Sequence, residues 1–240
     1  MIRNRIFALA FRISCFLIIL LGLKEMLVSA EGVNFRLLMY YTLQSNALAL
    51  VLFAMLAYRT AKGLRLDGIA GSAGYFSRFE MVCSVDLLLT LAVFWVLLAP
   101  SMFSMDGDSY LWSFRNLSVH LFAPIFCVVD YILFSDSRSL KYQDAYYVVI
   151  FPLIYLLFSI FAGLSGYVYR QSADDGGPVR FPYFFFDFDR IGAKSLIYIF
   201  GLIIFFLLVS HGFYFVDRKI RRPRGNSQAD IPRSGANQGG

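Results

Sequence analysis

The chain has 240 residues, of which 58% are hydrophobic and only 16% are charged. This composition excludes an ordinary water-soluble globular domain, because such a domain needs a polar outer shell. The net charge of +6 does not indicate nucleic-acid binding, because the basic residues lie in short segments between apolar runs and in the tail, where they orient a membrane protein. We therefore predict an all-α, polytopic membrane protein whose main partners are membrane lipids, since a chain in lipid must satisfy its own backbone hydrogen bonds.

Six apolar runs are long enough to cross the hydrocarbon core, which takes roughly 20 helical residues. In chain order we predict transmembrane helices at residues 6–28, 37–58, 80–99, 116–134, 146–166 and 193–216. Residues 1–220 then form one integral membrane domain. Residues 221–240 are rich in Arg, Pro, Gly, Ser, Asn and Gln, and we predict a disordered cytoplasmic tail there.

Loop charges predict the orientation of the helices. The loop after the second span and the tail after the sixth are rich in Arg and Lys, whereas the loops after the third and fifth spans are neutral to acidic. The positive-inside rule therefore places both termini in the cytoplasm. The sequence Val28-Ser29-Ala30 also resembles a signal-peptide cleavage site, which would leave five spans. We favour six spans, because the first apolar run is long enough to cross the membrane.

No cofactor or metal motif is present in the sequence. Cys15, Cys83 and Cys127 all lie inside apolar runs and lack the spacing of metal ligands or of a disulfide framework, so we interpret them as packing residues. Nucleotide-binding loops, metal-binding helices and haem motifs are also missing from the sequence. We therefore predict no cofactor and no metal, and the remaining function classes are lipid chemistry, transport or a structural role.

Polar residues at the starts of the second and fourth spans form the main candidate site. Thr42, Ser45 and Asn46 share one helix face, as do Asn116 and His120. Because both spans run in the same direction, we expect Thr42 and His120 at similar depth in the outer half of the membrane. A hydroxyl beside an imidazole is the minimum set for acyl transfer. We predict Thr42 as nucleophile and His120 as general base, with Ser45 and Asn46 as oxyanion or positioning groups.

Each of these residues also has a purely structural interpretation. A threonine in a membrane helix often bonds to its own preceding carbonyl, and a histidine at a span end often joins two helices. Ser45 and Asn46 can likewise act as hydrogen-bonding contacts between helices. Pro124 can kink the fourth span, which would free a backbone carbonyl near His120.

The loop before the last span contains a dense aromatic run at residues 181–188. This run can form a lid above Thr42 and His120, with Asp187 or Asp189 orienting the imidazole. It can equally form an amphipathic anchor in the membrane interface. The candidate substrate-binding residues are Ser45, Asn46, Asn116 and Asp187.

Two acidic residues inside the spans leave other functions open. Asp86 and Asp130 could form a proton or cation site of a small transporter or channel, or they could pair with loop arginines such as Arg78. A third alternative is a non-catalytic membrane partner protein.

The segment Tyr41-Thr42-Leu43-Gln44-Ser45-Asn46, His120 with Pro124, and Phe181-Pro182-Tyr183-Phe184 with Asp187 resemble a bacterial branch of small six-span proteins. That branch is similar to the androgen-induced and androgen-dependent TFPI-regulating family of multi-pass hydrolases, and the resemblance covers nearly all of the spanning region. It implies an intramembrane hydrolase that cleaves esters of hydroxy fatty acids, with Thr42 at the nucleophile position and His120 at the base position. The expected location is the plasma membrane, here a bacterial inner membrane.

Overall fold

The computed structural model describes residues 2–29, 32–100, 108–135, 140–172 and 176–220. Within these ranges, six helices are long and apolar enough to cross a membrane: α1 Arg5–Leu27, α2 Tyr41–Asp67, α3 Ser77–Leu98, α4 Phe114–Phe134, α5 Tyr142–Leu164 and α6 Lys194–Lys219. These helices confirm the prediction of an all-α, polytopic membrane protein. The predicted disordered tail, residues 221–240, lies outside the described residues.

Short strands, 3-10 turns and short helices lie in the three connections at the end of the bundle where α2, α4 and α6 begin. We call this end of the bundle the site end. These short elements are the antiparallel strands β1 Val28–Ser29 and β2 Gly32–Val33, the antiparallel strands β3 Arg170–Gln171 and β4 Pro178–Val179, the 3-10 turns Phe35–Met39 and Phe184–Phe186, and the short helices Asp108–Leu111 and Phe188–Ile191. In the first hairpin Val28 lies opposite Val33, and in the second Arg170 lies opposite Val179.

The second helix differs most from the prediction. It begins at Tyr41 rather than at residue 37, because the preceding residues form a 3-10 turn in which the Asn34 side chain accepts a hydrogen bond from the Arg36 backbone. It also continues to Asp67 rather than ending at residue 58. The extension is rich in Ala, Leu, Lys and Arg, which favour helix in water as well as in lipid. Hydropathy detects only the part of a helix that lies in the membrane.

The core of the fold is formed by α1 to α4. Helix α1 packs on α2 and α4, α2 packs on α3, and α3 packs on α4. Half of the apolar window of α3 and of α4 is buried inside the protein, against 17% of that of α6. A Cβ atom on Gly22 would overlap the side chain of Ser118, so α1 and α4 approach each other closely through small residues.

The main polar contact inside this core is a buried ion pair. The Asp130 carboxylate accepts hydrogen bonds from Arg12 Nε and Nη2, both at 2.8 Å. The suggested pairing with Arg78 is wrong, because Arg78 forms an ion pair of 2.8 Å with Asp144. Arg12 is 0% exposed, although its position in the sequence suggests the membrane entrance. The hydropathy of the sequence predicts the depth of a residue in the membrane. It does not predict which residue on a neighbouring helix its side chain contacts.

Candidate active site

The structure brings the first turn of α2 against α4. Thr42 Oγ1 lies 3.4 Å from His120 Nε2, although the two residues are 78 positions apart. This distance is at the long end for a hydrogen bond, as is common for catalytic pairs without a bound substrate. Matching depth, which loop charges predict, is thus accompanied by side-chain contact.

Asn116 fixes the orientation of the imidazole from the other side. Asn116 Oδ1 lies 2.8 Å from His120 Nδ1, while Asn116 Nδ2 donates to the backbone carbonyl of Leu111 at 2.9 Å. Because the amide oxygen can only accept, this network places the imidazole hydrogen on Nδ1. The unprotonated Nε2 then faces the Thr42 hydroxyl, ready to accept its proton. The hydroxyl, the imidazole and the amide are therefore arranged in series, as nucleophile, base and orienting group are in acyl-transfer enzymes.

Two helices are irregular near His120. Residues Ser118–Phe122 of α4 form a π-helical turn, and so do residues Val93–Leu98 of α3. Pro124 lacks the N–H that would bond to the carbonyl of His120 in a regular α-helix. That carbonyl accepts instead from Trp95 Nε1 at 3.2 Å. The carbonyl that Pro124 was expected to free is therefore present, and Trp95 is the partner that the sequence did not reveal.

A small, mainly apolar cavity of about 50 Å³ lies beside Thr42. It lies between α2, α3, α5, α6 and the loop that precedes α6. Its walls are Tyr41, Thr42, Leu89, Thr90, Val93, Phe94, Leu98, Pro152, Tyr155, Tyr183, Phe185, Phe186 and Leu202. Phe94 also stacks on the His120 ring, with centroids 3.8 Å apart, so the imidazole is only 5% exposed. Thr42 thus lies in the wall of a mainly apolar space.

The aromatic loop lies over this cavity. Phe181, Phe185 and Phe186 are buried, and the loop approaches α5 so closely that a Cβ on Gly163 would lie 2.9 Å from the Arg180 carbonyl. Phe185 and Phe186 also line the cavity, and we call this loop the lid.

The acidic residues of the loop have structural partners. Asp187 Oδ1 accepts from the backbone N–H of Arg190 at 3.2 Å and so caps the short helix Phe188–Ile191. Asp189 pairs with Arg180 at 2.7 Å on the surface. The group that contacts the imidazole is Asn116, and Asp187 instead stabilises the lid.

Ser45 and Asn46 are buried between helices and do not line the cavity. Ser45 Oγ lies 3.1 Å from Thr90 Oγ1 and donates to the Thr42 carbonyl at 3.2 Å. Asn46 Nδ2 donates to the carbonyls of Thr42, at 2.9 Å, and of Val119, at 3.2 Å. These contacts hold the first turn of α2 against α3 and α4, which makes both residues positioning groups for Thr42.

Tyr183 is the polar lid residue that lines the cavity together with Thr42. Its ring stacks on Phe185 at 5.1 Å and meets Tyr40 edge-on at 6.0 Å, which fixes its position in the cavity wall. Burial raises the pKa of Tyr183 to about 12, although hydrogen bonding to Thr42 opposes this effect. The phenol therefore stays protonated and able to donate. One sequence signal could have identified it, because Tyr183 is the sole hydroxyl-bearing residue in the run from 181 to 186.

Comparisons with known protein families, with curated proteins and with solved structures find no match to this chain. Within the described ranges, no three His, Cys, Asp or Glu side chains lie together as a metal site would require. The functional assignment therefore depends on the geometry around Thr42.

Proposed function

We propose that this multi-pass membrane protein is a hydrolase of lipid esters in which Thr42 is the nucleophile and His120 is the general base. The observation that carries the proposal is the series Thr42–His120–Asn116, whose nucleophile opens onto an apolar cavity covered by a lid. A threonine hydroxyl is a weak nucleophile, so a base within hydrogen-bond reach is essential.

The proposed reaction has two steps. Thr42 Oγ1 attacks the ester carbonyl carbon while its proton passes to His120 Nε2, and the tetrahedral intermediate collapses with transfer of that proton to the departing alcohol. Water then attacks the acyl-threonine carbonyl, with His120 again taking a proton, and the fatty acid leaves as Thr42 regains its hydrogen. Asn116 holds the imidazole in the required tautomer during both steps.

The carbonyl oxygen needs a hydrogen-bond donor as negative charge develops on it. Ser45 and Asn46 donate to backbone carbonyls and lie outside the cavity lining, so they are poorly placed for this role. The Tyr183 phenol lines the cavity beside Thr42, and we assign it the role of donor to the oxyanion. Closure of the lid would then complete the catalytic groups.

The location and substrate class of the proposal extend the sequence argument. We place both termini in the cytoplasm and the site end at the outer face of the plasma membrane, on the basis of the loop charges. The resemblance to the androgen-induced family supports an ester of a hydroxy fatty acid as substrate, and the apolar lining of the cavity is compatible with such a ligand.

The geometry does not favour transport through Asp130, because both of its carboxylate oxygens accept from Arg12. Asp130 therefore serves as a structural counter-ion rather than as an exchangeable cation site. Asp86 differs: its Oδ1 accepts from the Tyr41 hydroxyl at 3.2 Å, but its buried Oδ2 has no hydrogen-bond partner among the described residues.

The decisive experiment is hydrolysis of a panel of fatty-acid esters by the purified protein in lipid nanodiscs. We expect Thr42→Ala and His120→Ala to abolish turnover, and Thr42→Ser to retain part of it because the hydroxyl remains. His211→Ala is the matched control, since His211 is the only other histidine and bonds to the Leu207 carbonyl of its own helix. An inert wild type, or a Thr42→Ala variant as active as the wild type, would remove the basis of the proposal.

A further inference from the structure

Helices α5 and α6 diverge toward the site end. They pack together through the first turns of α5, Tyr142–Val149. Beyond these turns a narrow groove of about 40 Å³ separates the two helices. Its walls are Val149, Pro152, Leu153, Leu156, Phe186, Ile199, Leu202, Ile203 and Phe206. Every one of these side chains is apolar, and Leu153 is 40% exposed on the outer surface of the bundle, so the groove is open to the lipid phase.

The groove adjoins the cavity beside Thr42. Pro152, Phe186 and Leu202 line both spaces, and we call these three residues the neck. They come from α5, from the lid and from α6. A linear ligand that displaced these side chains would have one end at Thr42 and the other between two membrane helices.

We propose that the groove between α5 and α6 binds the acyl chain of the substrate, so that a linear chain enters from the bilayer and its ester carbonyl stops at Thr42. This inference rests on the proposed function and adds the part of the substrate that the groove recognises, which is the acyl chain. The occupant follows from the position of the groove, because a space walled by apolar groups, open to lipid and ending at an acyl-transfer site matches a fatty chain. The lid contributes Phe186 to the neck, so lid position and chain binding are coupled.

The test is the ratio of kcat/KM for a laurate ester to that for a butyrate ester of the same alcohol, measured in one nanodisc preparation. A butyrate chain reaches only the cavity, whereas a laurate chain must extend through the neck. Leu202→Trp fills the neck, and we expect it to lower the laurate-to-butyrate ratio by about tenfold or more. Comparing ratios in the same lipid cancels the unequal partitioning of the two esters.

Ile197→Trp is the matched control, because Ile197 lies on the same helix, is 73% exposed and does not line the groove. We expect its ratio to stay within about twofold of the wild type, as for surface substitutions in general. If Leu202→Trp does not fold, Leu156→Trp introduces the same bulk from the opposite wall.

The outcomes separate this inference from the proposed function. Thr42-dependent hydrolysis with an unchanged ratio in the filled variants would overturn the acyl-chain assignment and leave the hydrolase intact. An equal loss on both esters would also overturn it, because the neck would then affect the catalytic groups rather than the chain. Absence of Thr42-dependent hydrolysis in the wild type would overturn both proposals.

Discussion

The buried pair of Arg12 and Asp130 allows a quantitative test of the fold. The two side chains are 0% and 2% exposed and share two hydrogen bonds of 2.8 Å. Arg12 also donates to Thr60 Oγ1 and to the carbonyl of Ala73, so α1 is tied to α2, α4 and the segment that follows α2. Asp130→Asn keeps the shape of the side chain but removes its charge, which leaves a guanidinium inside the bundle with only neutral partners.

Breaking a buried ion pair on one side costs about 3–5 kcal/mol in the free energy of unfolding. For a chain of this length, each kcal/mol lowers Tm by roughly 2–4 °C, so Asp130→Asn should lower Tm by about 6–20 °C. Removing both charges with Arg12→Met and Asp130→Leu should restore much of this loss, because no uncompensated charge remains. The effect should persist in high salt, since buried pairs are weakly screened.

Thermal unfolding of the purified protein in detergent, followed by size-exclusion chromatography, gives these Tm values. The matched control is Arg180→Gln, which breaks an ion pair whose side chains are 42% and 45% exposed. Exposed pairs contribute about 0–1 kcal/mol, so this variant should unfold close to the wild type. An Asp130→Asn protein as stable as the wild type, or a double variant no better than the single one, would refute the structural role. Proton-coupled flux lost in Asp130→Asn without a change in Tm would revive the transport alternative.

Further predictions concern the site and the helix contacts. Asn116→Ala removes a buried hydrogen bond of about 1–3 kcal/mol, so kcat should fall roughly 5- to 150-fold in the ester assay. Tyr183→Phe should lower kcat on an oxygen ester by about 100-fold but change kcat on the matching thionoester much less, because sulfur is a weak acceptor. Because burial raises the pKa of Tyr183 to about 12, the absorbance titration of wild type minus Tyr183→Phe should have its midpoint near that value rather than near 10. Gly22→Leu drives a side chain into Ser118 and should lower stability by about 1–3 kcal/mol, whereas Gly212→Ala meets open space and should leave Tm unchanged or higher.

Two results would contradict the predictions for Tyr183. Equal losses on both esters in Tyr183→Phe would indicate that the phenol supports the lid rather than the oxyanion.

The raised pKa of Tyr183 also fixes the sign of the pH effect on the stability of the fold. A raised pKa in the folded state means that the stabilisation from the Tyr183 proton is complete below pH 10 and is lost as the pH rises through about 12. If the wild type, compared with Tyr183→Phe, instead lost stability as the pH was lowered from about 12 to 10, the burial of the phenol would be contradicted.

The sequence by itself determined the six helices and the residues worth testing. A helix in lipid must satisfy its own backbone hydrogen bonds over the thickness of the hydrocarbon core. Each span is therefore predicted by the summed hydropathy of consecutive residues. The Asn116–His120 pair also follows from sequence, because positions i and i+4 of one helix share a face. The freed carbonyl near His120 was likewise predicted from Pro124, because the N–H that proline lacks would have bonded to a carbonyl of the same helix.

Only the tertiary structure decided which helix faces meet. Thr42 and His120 are 78 residues apart, and Arg12 and Asp130 are 118 apart, so their contacts depend on how each helix is rotated about its axis. Hydropathy does not specify that rotation, because lipid tails are as apolar as the leucines that face them. The same holds for Tyr183, whose position beside Thr42 depends on the path of a whole loop. The spans are thus set by the solvent around each segment, whereas the site is set by packing between segments far apart in the chain.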